Sequence, residues 1–274
     1  MKICVLGAGT WGSALASLLA KNNHEVMLWS DMYFRASNKN NRYYGEDIEI
    51  TDEVKAQIPE NIDLVFWHYG EKFGCDDDMM KKNNSLGRKV WFAGGLWRWT
   101  GFAPHNAFSI KATKSALKSC IENGVSSVIL TLWGDNGGEC SRFSLLPSLF
   151  YASEIAKGND ESLIKQKFEQ KYGIPFDGFL SVDMPVSAYD GKERHCNPEK
   201  YILYNDCFSG IMDSAIWDES QKEYENCAEN LSKFIGDSNF GYLFKTLHAL
   251  SVAIAEKSSA PDRALIFNIA ELIR

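Results

Sequence analysis

Two groups of residues in this chain have types and spacing that suit chemistry. The first is Gly7-x-Gly9-x-x-Gly12, set between the β-favouring run Ile3 to Leu6 and the Ala/Leu-rich helical stretch Ser13 to Lys21. That context suits a phosphate cradle. The first glycine permits a tight turn, and the second lets a pyrophosphate approach the backbone. The third lets the helix pack on the strand, with the helix N-terminus facing the phosphates. A bare pattern of this length is weakly specific on its own.

The second group is aromatic. Trp29-Ser30-Asp31, Trp67-His68-Tyr69, Trp97-Arg98-Trp99 and Trp133-Gly134-Asp135-Asn136 each close or follow an apolar run. A pyranose has apolar C–H faces that stack on indole rings and hydroxyls that pair with carboxylates and amides. Asp135 and Asn136 are spaced to take adjacent hydroxyls. Any single tryptophan here is more often packing than a site, but four successive strand ends with the same combination point to a carbohydrate pocket.

Metal chemistry has weaker support. The 7 Cys include no C-x-x-C pair and no Cys/His spacing suited to zinc. Asp76-Asp77-Asp78 reads as a solvated helix start, because three adjacent side chains cannot converge on one ion. No metal site is expected.

The elements that must carry these residues alternate. Strands are expected at Ile3 to Leu6, Glu25 to Trp29, Ile62 to Trp67, Lys89 to Phe92 (followed by Gly94-Gly95) and Val125 to Trp133. Between them Thr51-Asp52-Glu53 caps a short helix, and Ser109 to Asn123 forms a longer one, capped by Ser109 and stopped by Gly124. This β-α alternation predicts a parallel sheet with helical crossovers, either an open doubly wound sheet or a closed barrel. In both, ligands sit at the C-terminal ends of the strands. From about Pro147 the pattern becomes helical. Helices are expected at Leu149 to Ala156, Ser162 to Tyr172, Glu219 to Ile235 and Tyr242 to Lys257, with an irregular stretch from Phe176 to Asn205.

Composition bounds the function classes. The 274 residues are 45% hydrophobic and 24% charged, ordinary for a globular chain. A net charge of −7 argues against a phosphate-backbone binder, so no nucleic-acid partner is expected. No apolar stretch is long enough to span a bilayer, so no membrane partner is expected either. Scattered, unpaired cysteines fit a reduced compartment, which makes a cytoplasmic location the expectation. Lys2 and the apolar run after it have a signal-peptide outline, but Gly7, Gly9 and Gly12 interrupt that run.

From Trp29 to about Lys257 the chain resembles glycoside hydrolase family 20, in its bacterial exo-β-N-acetylhexosaminidase branch. The resemblance rests on Trp29-Ser30-Asp31-Met32-Tyr33-Phe34-Arg35, Pro59-Glu60-Asn61-Ile62-Asp63-Leu64-Val65 and Lys89-Val90-Trp91-Phe92-Ala93-Gly94-Gly95. It continues through Trp99-Thr100-Gly101-Phe102-Ala103-Pro104-His105-Asn106, Thr131-Leu132-Trp133-Gly134-Asp135-Asn136-Gly137 and Glu139-Cys140-Ser141-Arg142-Phe143. It implies the second half of a (β/α)8 barrel followed by the family's helical C-terminal region. It also implies retaining hydrolysis of terminal GlcNAc or GalNAc, in which the substrate's 2-acetamido oxygen attacks C1. A Glu acts as general acid, and the Asp before it orients the acetamido group. By family position Trp97, Trp133, Asp135 and Asn136 would contact the sugar, with Asp31 and Tyr69 as further candidates. The catalytic Asp-Glu pair at the end of the fourth barrel strand has no counterpart. Asp52-Glu53, Asp160-Glu161 and Asp218-Glu219 fall at helix starts or loops. The catalytic residues are therefore unknown, and little hydrolysis is expected of this chain alone.

Residues 1–30 resemble the N-terminus of NAD(P)-dependent glycerol-3-phosphate dehydrogenase, through Lys2-Ile3-Cys4-Val5-Leu6-Gly7-Ala8-Gly9-Thr10-Trp11-Gly12 and His24-Glu25-Val26-Met27-Leu28-Trp29. That resemblance implies NAD or NADP bound at Gly7, Gly9 and Gly12. The chain thus reads as chimeric or truncated, a Rossmann-like β-α-β segment (1–30) joined to half of a (β/α) barrel (31–148) and a helical C-terminal region (149–274). The expected fold class is α/β. The expected function is a hexosaminidase-like glycoside hydrolase with a small carbohydrate substrate and no cofactor. The alternatives are an NAD(P)-binding fragment or a non-catalytic carbohydrate-binding protein. Unpaired sheet edges predict self-association.

Overall fold

The computed structural model describes residues 2–4, 10–31, 33–34, 50–70, 75–135, 137–188, 198–205, 219–236 and 239–258. They divide into two compact units. The first is Met1–Gly95 with Lys111–Thr131, and the second is Leu96–Ile110 with Leu132–Arg274.

The first unit is an α/β layer. Its strands are β1 (Lys2–Cys4), β2 (Glu25–Trp29), β3 (Ile62–Trp67), β4 (Val90–Gly95) and β5 (Ser127–Thr131). All pair in parallel, in the order β1-β2-β3-β4-β5. Between them run α1 (Thr10–Lys21), α2 (Asp52–Gln57), α3 (Cys75–Asn84) and the portion of α4 (Asn106–Glu122) that belongs to this unit.

Register decides which residues share a face. Leu28 pairs with Leu64 and Leu64 with Val90, while Phe66 pairs with Phe92 and Phe92 with Val128. That face holds the core. Val26, Leu28, Ile62, Leu64, Phe66, Val90 and Phe92 pack with Ala16 and Ala20 of α1, Met79 and Met80 of α3, and Ala116 and Cys120 of α4. The helical cover therefore lies on one face. On the other face Trp29 pairs with Val65 and Val65 with Trp91, and Trp67 pairs with Ala93. A doubly wound sheet needs a crossover that reverses direction and a second helical layer. Among the described residues of the first unit neither is present. The sheet is open, with β1 and β5 as its edges.

Several local expectations are corrected. β4 does not stop at Phe92 but continues through Gly94 and Gly95. A Cβ at Gly94 would press on Leu130 Cδ2 and Phe92 Cε1 at 3.2 Å each, so the glycine admits close side-chain packing within the strand. β5 is shorter than expected, Ser127–Thr131. Ser109 is not a cap. It lies one turn inside α4, donating to the His105 carbonyl at 2.8 Å and accepting the Trp97 N–H at 2.8 Å. Thr51 stands at the N-cap of α2 but makes no side-chain cap hydrogen bond there. Gly124 takes φ of 70° just past α4, a left-handed stop that suits glycine.

The second unit is helical. It holds α5 (Leu146–Ile155), α6 (Glu161–Tyr172), α7 (Phe176–Phe179), α8 (Met184–Ser187), α9 (Pro198–Tyr204), α10 (Ser220–Ser232) and α11 (Gly241–Ser258). The stretch expected to be irregular is largely helical where it is described. From Phe176 to Ser187 it is a string of single turns, α7, a 3-10 turn at Leu180–Asp183, and α8. Phe168, fully buried, centres the core, with Phe150, Tyr172, Phe176 and Phe179 at ring distances of 5.5, 4.7, 5.1 and 5.7 Å. Edge-on packing of this kind adds to the hydrophobic contribution of each ring.

Candidate functional site

Trp97 lies just past the end of β4, in the segment that leads into α4. The segment is closed by its own backbone: the His105 N–H donates to the Trp97 carbonyl at 2.9 Å. Trp97 and Trp99 form a tilted pair, ring centroids 4.7 Å apart at 33°. Phe108, on the first turns of α4, meets Trp97 edge-on at 4.7 Å and 68°. Both indoles are half-buried.

Arg98, between the two tryptophans in sequence, reaches the loop that follows β5. It is 5% exposed. Its Nη1 donates to the Trp133 carbonyl at 3.3 Å and its Nη2 to the Gly138 carbonyl at 2.7 Å. Nε and Nη2 both reach the Cys140 carbonyl, at 3.0 and 2.5 Å. One buried cation thereby ties the Trp97–Trp99 segment to the loop that carries Trp133 and Asp135. Trp133 is 40% exposed and Asp135 is exposed. Gly134 and Gly138 take part in the same turn. A Cβ at Gly138 would lie 3.2 Å from the Gly134 carbonyl oxygen, and one at Gly134 3.2 Å from Arg98 Nη1.

Two buried acidic side chains brace this framework. Asp183, from the 3-10 turn, accepts the Asn106 side-chain amide at 2.8 Å and the Ala107 N–H at 2.7 Å. Asn106 also donates to the Ser144 carbonyl at 2.9 Å. Glu199, on α9, is fully buried, and its Oε1 accepts the Phe102 N–H at 2.8 Å and the Ala103 N–H at 3.3 Å. Burial pushes its carboxyl up to about 7, against the opposing pull of three backbone N–H groups and Lys200. Cys140 is buried too, and burial pushes its thiol up to about 11, which favours the thiol over the thiolate.

The structure thus places Trp97, Trp133 and Asp135 in the second unit, linked by Arg98. Asn136 lies outside the described residues. Asp31 and Tyr69 belong to the first unit. Asp31 is half-buried in a helical turn after β2, and Tyr69 is half-buried with its ring 5.1 Å from Trp67. Gly12 sits in the first turn of α1, while Gly7 and Gly9 lie outside the described residues. Of the Asp-Glu pairs, Asp52-Glu53 opens α2, and Asp160 caps α6 through the Leu163 N–H. Glu219 stands at the start of α10, and Asp218 is outside the described residues.

Sequence reasoning named the Trp97-Arg98-Trp99 run without the pairing of Trp99 with Trp97 or the reach of Arg98, and it missed Asp183 and Glu199. The Trp-Arg-Trp run was the available signal for the first two. Asp183 and Glu199 act on residues 76 and 97 positions away, and nothing local marks them. Among the described residues no group of His, Cys, Asp or Glu is arranged to hold a metal ion, and no helix is long and apolar enough to cross a membrane.

Comparison with known proteins matches two separate stretches of the chain. The family model for the N-terminus of NAD-dependent glycerol-3-phosphate dehydrogenase matches residues 2–61, and the Glycoside Hydrolase 20C C-terminal domain matches residues 177–264. The N-terminal match runs past residue 30, where the sequence reading ended the resemblance. Curated relatives match over the N-terminal part. A glycerol-3-phosphate dehydrogenase [NAD(P)+] of Oceanobacillus iheyensis is 45% identical over 60 residues, 20% of this chain and 17% of that protein. The one from Lysinibacillus sphaericus is 48% identical over 61 residues, 22% of this chain and 15% of that protein. The one from Streptococcus agalactiae serotype V is 42% identical over 75 residues, 24% and 22%. The matched region thus spans about a fifth of the length of these relatives.

Proposed function

We propose that the second unit is a carbohydrate-binding site of the hexosaminidase type, which takes a terminal N-acetylhexosamine and hydrolyses it slowly or not at all. The observation that carries this is Arg98. It fixes the half-buried Trp97–Trp99 pair and the exposed Trp133–Asp135 loop to one another through three carbonyls. A stacking surface beside a carboxylate is what a pyranose needs. The Glycoside Hydrolase 20C match at 177–264 supports the same reading.

Weak turnover follows from the acids. Asp183 and Glu199 are buried and occupied with backbone and amide groups, and Asp135 is exposed. Substrate-assisted hydrolysis needs an orienting Asp and a protonated Glu at the scissile bond. The test is a chromogenic β-N-acetylglucosaminide together with GlcNAc titration. Binding without turnover is expected, and it should vanish in the Trp133→Ala, Asp135→Ala double variant. Turnover near that of an intact glycosidase would overturn the reading.

We read the first unit as a segment of a (β/α) barrel. Its strands run in unbroken order, and the helical cover lies on one face, the arrangement a barrel wall has before closure. Its edges, β1 and β5, are each paired on one side among the described residues, and they favour self-association. A monomer by sedimentation at micromolar concentration would remove that expectation.

A second reading is favoured by the N-terminal match. In it, NAD or NADP binds at Gly7, Gly9 and Gly12, of which Gly12 lies in the first turn of α1. The parallel β1-α1-β2 unit supports it. The strand order does not help it, because a dinucleotide crevice forms where the order reverses beside β1. Quenching of tryptophan fluorescence by NADH tests this reading, and a flat titration to millimolar cofactor would eliminate it.

A further inference from the structure

We propose that Glu199 is the positioning residue of the Trp97–Trp99 platform: its neutral carboxyl clasps the 100–103 turn and presents the pair to a sugar, and loss of its proton opens the clasp. This inference rests on the carbohydrate reading above.

The geometry is specific. One carboxyl oxygen, Oε1, takes both the Phe102 and the Ala103 N–H. The carboxyl also lies directly against Gly101. A Cβ built there would stand 2.0 Å from Oε1, 2.5 Å from Cδ and 2.9 Å from Oε2. The turn and the carboxyl therefore fit only because residue 101 has no side chain. Trp97 and Trp99 lie immediately before this turn, and His105 N–H closes it back onto the Trp97 carbonyl. A shift of the turn thus moves the pair.

The second oxygen supplies the switch. Oε2 is buried and has no hydrogen-bond partner among the described residues. A neutral carboxyl tolerates that, whereas a carboxylate left there is an unsolvated charge. Ionisation must therefore admit water to Oε2, an atom that is buried while the clasp is closed. Burial places this change near neutrality, at about 7.

The other ionisable groups around the clasp do not account for such a change. Lys200, beside Glu199 on α9, is paired with Glu139 at 2.6 Å and opposes the upward shift. Tyr224 of α10 and Cys140 both feel Glu199, and burial raises the first well above 10 and the second to about 11, so both stay neutral. Glu223 lies on α10, and Lys257 of α11 donates to the Leu203 carbonyl of α9. Among the described residues of this segment, His105 is buried too, and histidine ordinarily changes charge near neutrality.

The test uses the full chain and two readouts, from about pH 5 to about pH 9. The first is the exciton couplet of the Trp97–Trp99 pair in circular dichroism, assigned by its loss in Trp99→Phe. The second is GlcNAc affinity. In the unmodified protein both should fall as pH rises through about 7, the affinity by about tenfold. Glu199→Gln keeps the accepting oxygen and cannot ionise, so it should retain both signals with no pH response. Glu199→Ala should lack the couplet throughout. A flat couplet in the unmodified protein would overturn the proposal. So would a Glu199→Gln protein that keeps the full pH response, which would assign it to another group. A couplet that responds as expected while no GlcNAc binds at any pH upholds the clasp and overturns the carbohydrate reading instead.

Discussion

Arg98 grips Cys140 by a single carbonyl, with Nε at 3.0 Å and Nη2 at 2.5 Å on the same oxygen. The rest of its guanidinium is spent on the Trp133 and Gly138 carbonyls, so a rigid fork serves three acceptors along one loop. Removing it leaves those carbonyls in a poorly hydrated site. Arg98→Ala should cost about 3 kcal/mol of stability, within the range for lost charged hydrogen bonds and buried acceptors. Arg98→Lys keeps the charge and loses the fork, so it should recover only part. Urea unfolding checks both, and Trp133 emission should shift to the red as its loop loosens.

At Gly101 the expected effect is steric. The nearest atom to an added methyl is Glu199 Oε1, and this is not the free end of a flexible chain, because two N–H groups hold it. Gly101→Ala should therefore cost about 1–3 kcal/mol, the ordinary range for overpacking. In a Glu199→Ala background the same change should cost much less, since the obstructing carboxyl is gone. A double-mutant cycle on unfolding midpoints measures the coupling, and additivity of the two changes would contradict the contact.

How much of this was legible in the sequence depends on the range of the forces involved. β2 and β3 follow from their apolar, β-favouring runs and match the expected limits at both ends, Glu25–Trp29 and Ile62–Trp67. Gly94 and Gly95 read as a strand end, because glycine is costly in a strand. Packing overrides that cost, since Leu130 fills the space a side chain would take. The aromatic strand ends were visible as Trp97 and Trp133, but their linkage was not. It depends on Arg98 reaching 42 residues along the chain to Cys140. Ser109 looked like a cap because serine favours that position, yet Asn106 begins the helix and Asp183 serves its N-terminus from far away.

Glu154 should set the acid limit of the second unit. It is 6% exposed and is held by Lys157 at 2.5 Å, Lys167 at 2.9 Å and the Asn159 amide at 2.8 Å. The hydrogen bonds from Lys157 and Lys167, with their charges, bring its carboxyl down to about 2 from an ordinary 4.5. A depressed value means that the folded state holds its proton less tightly than the unfolded state. The stabilisation is then complete above about 4.5 and is lost as pH falls through about 2. Glu154→Gln should be less stable than the unmodified protein near neutral pH. The difference should shrink on acidification toward about 2. Urea midpoints across that range read it directly, and a gap that stays constant would contradict the assignment.

Asp183 carries the last expectation, on the N-terminus of α4. The first N–H groups of a helix lack partners within it, and a carboxylate there meets both the free donors and the positive end of the helix dipole. Asp183 supplies this from the 3-10 turn: Oδ2 takes the Ala107 N–H at 2.7 Å and Oδ1 takes the Asn106 amide at 2.8 Å. Asn106 in turn accepts the Ser148 N–H at 3.3 Å and donates to the Ser144 carbonyl, so the contact joins α4 to the start of α5. Asp183→Asn places an amide NH2 against one of two donors and cannot satisfy both. Because the site is buried, the loss should be about 2–3 kcal/mol. Asp183→Ala removes the clash and the partner together and should cost a similar amount. Hydrogen exchange separates this from a general loosening. The Ala107 amide should lose protection in both variants while the Phe168 core amides keep theirs. Equal loss at the two places would mean that Asp183 supports the whole unit and not the helix terminus.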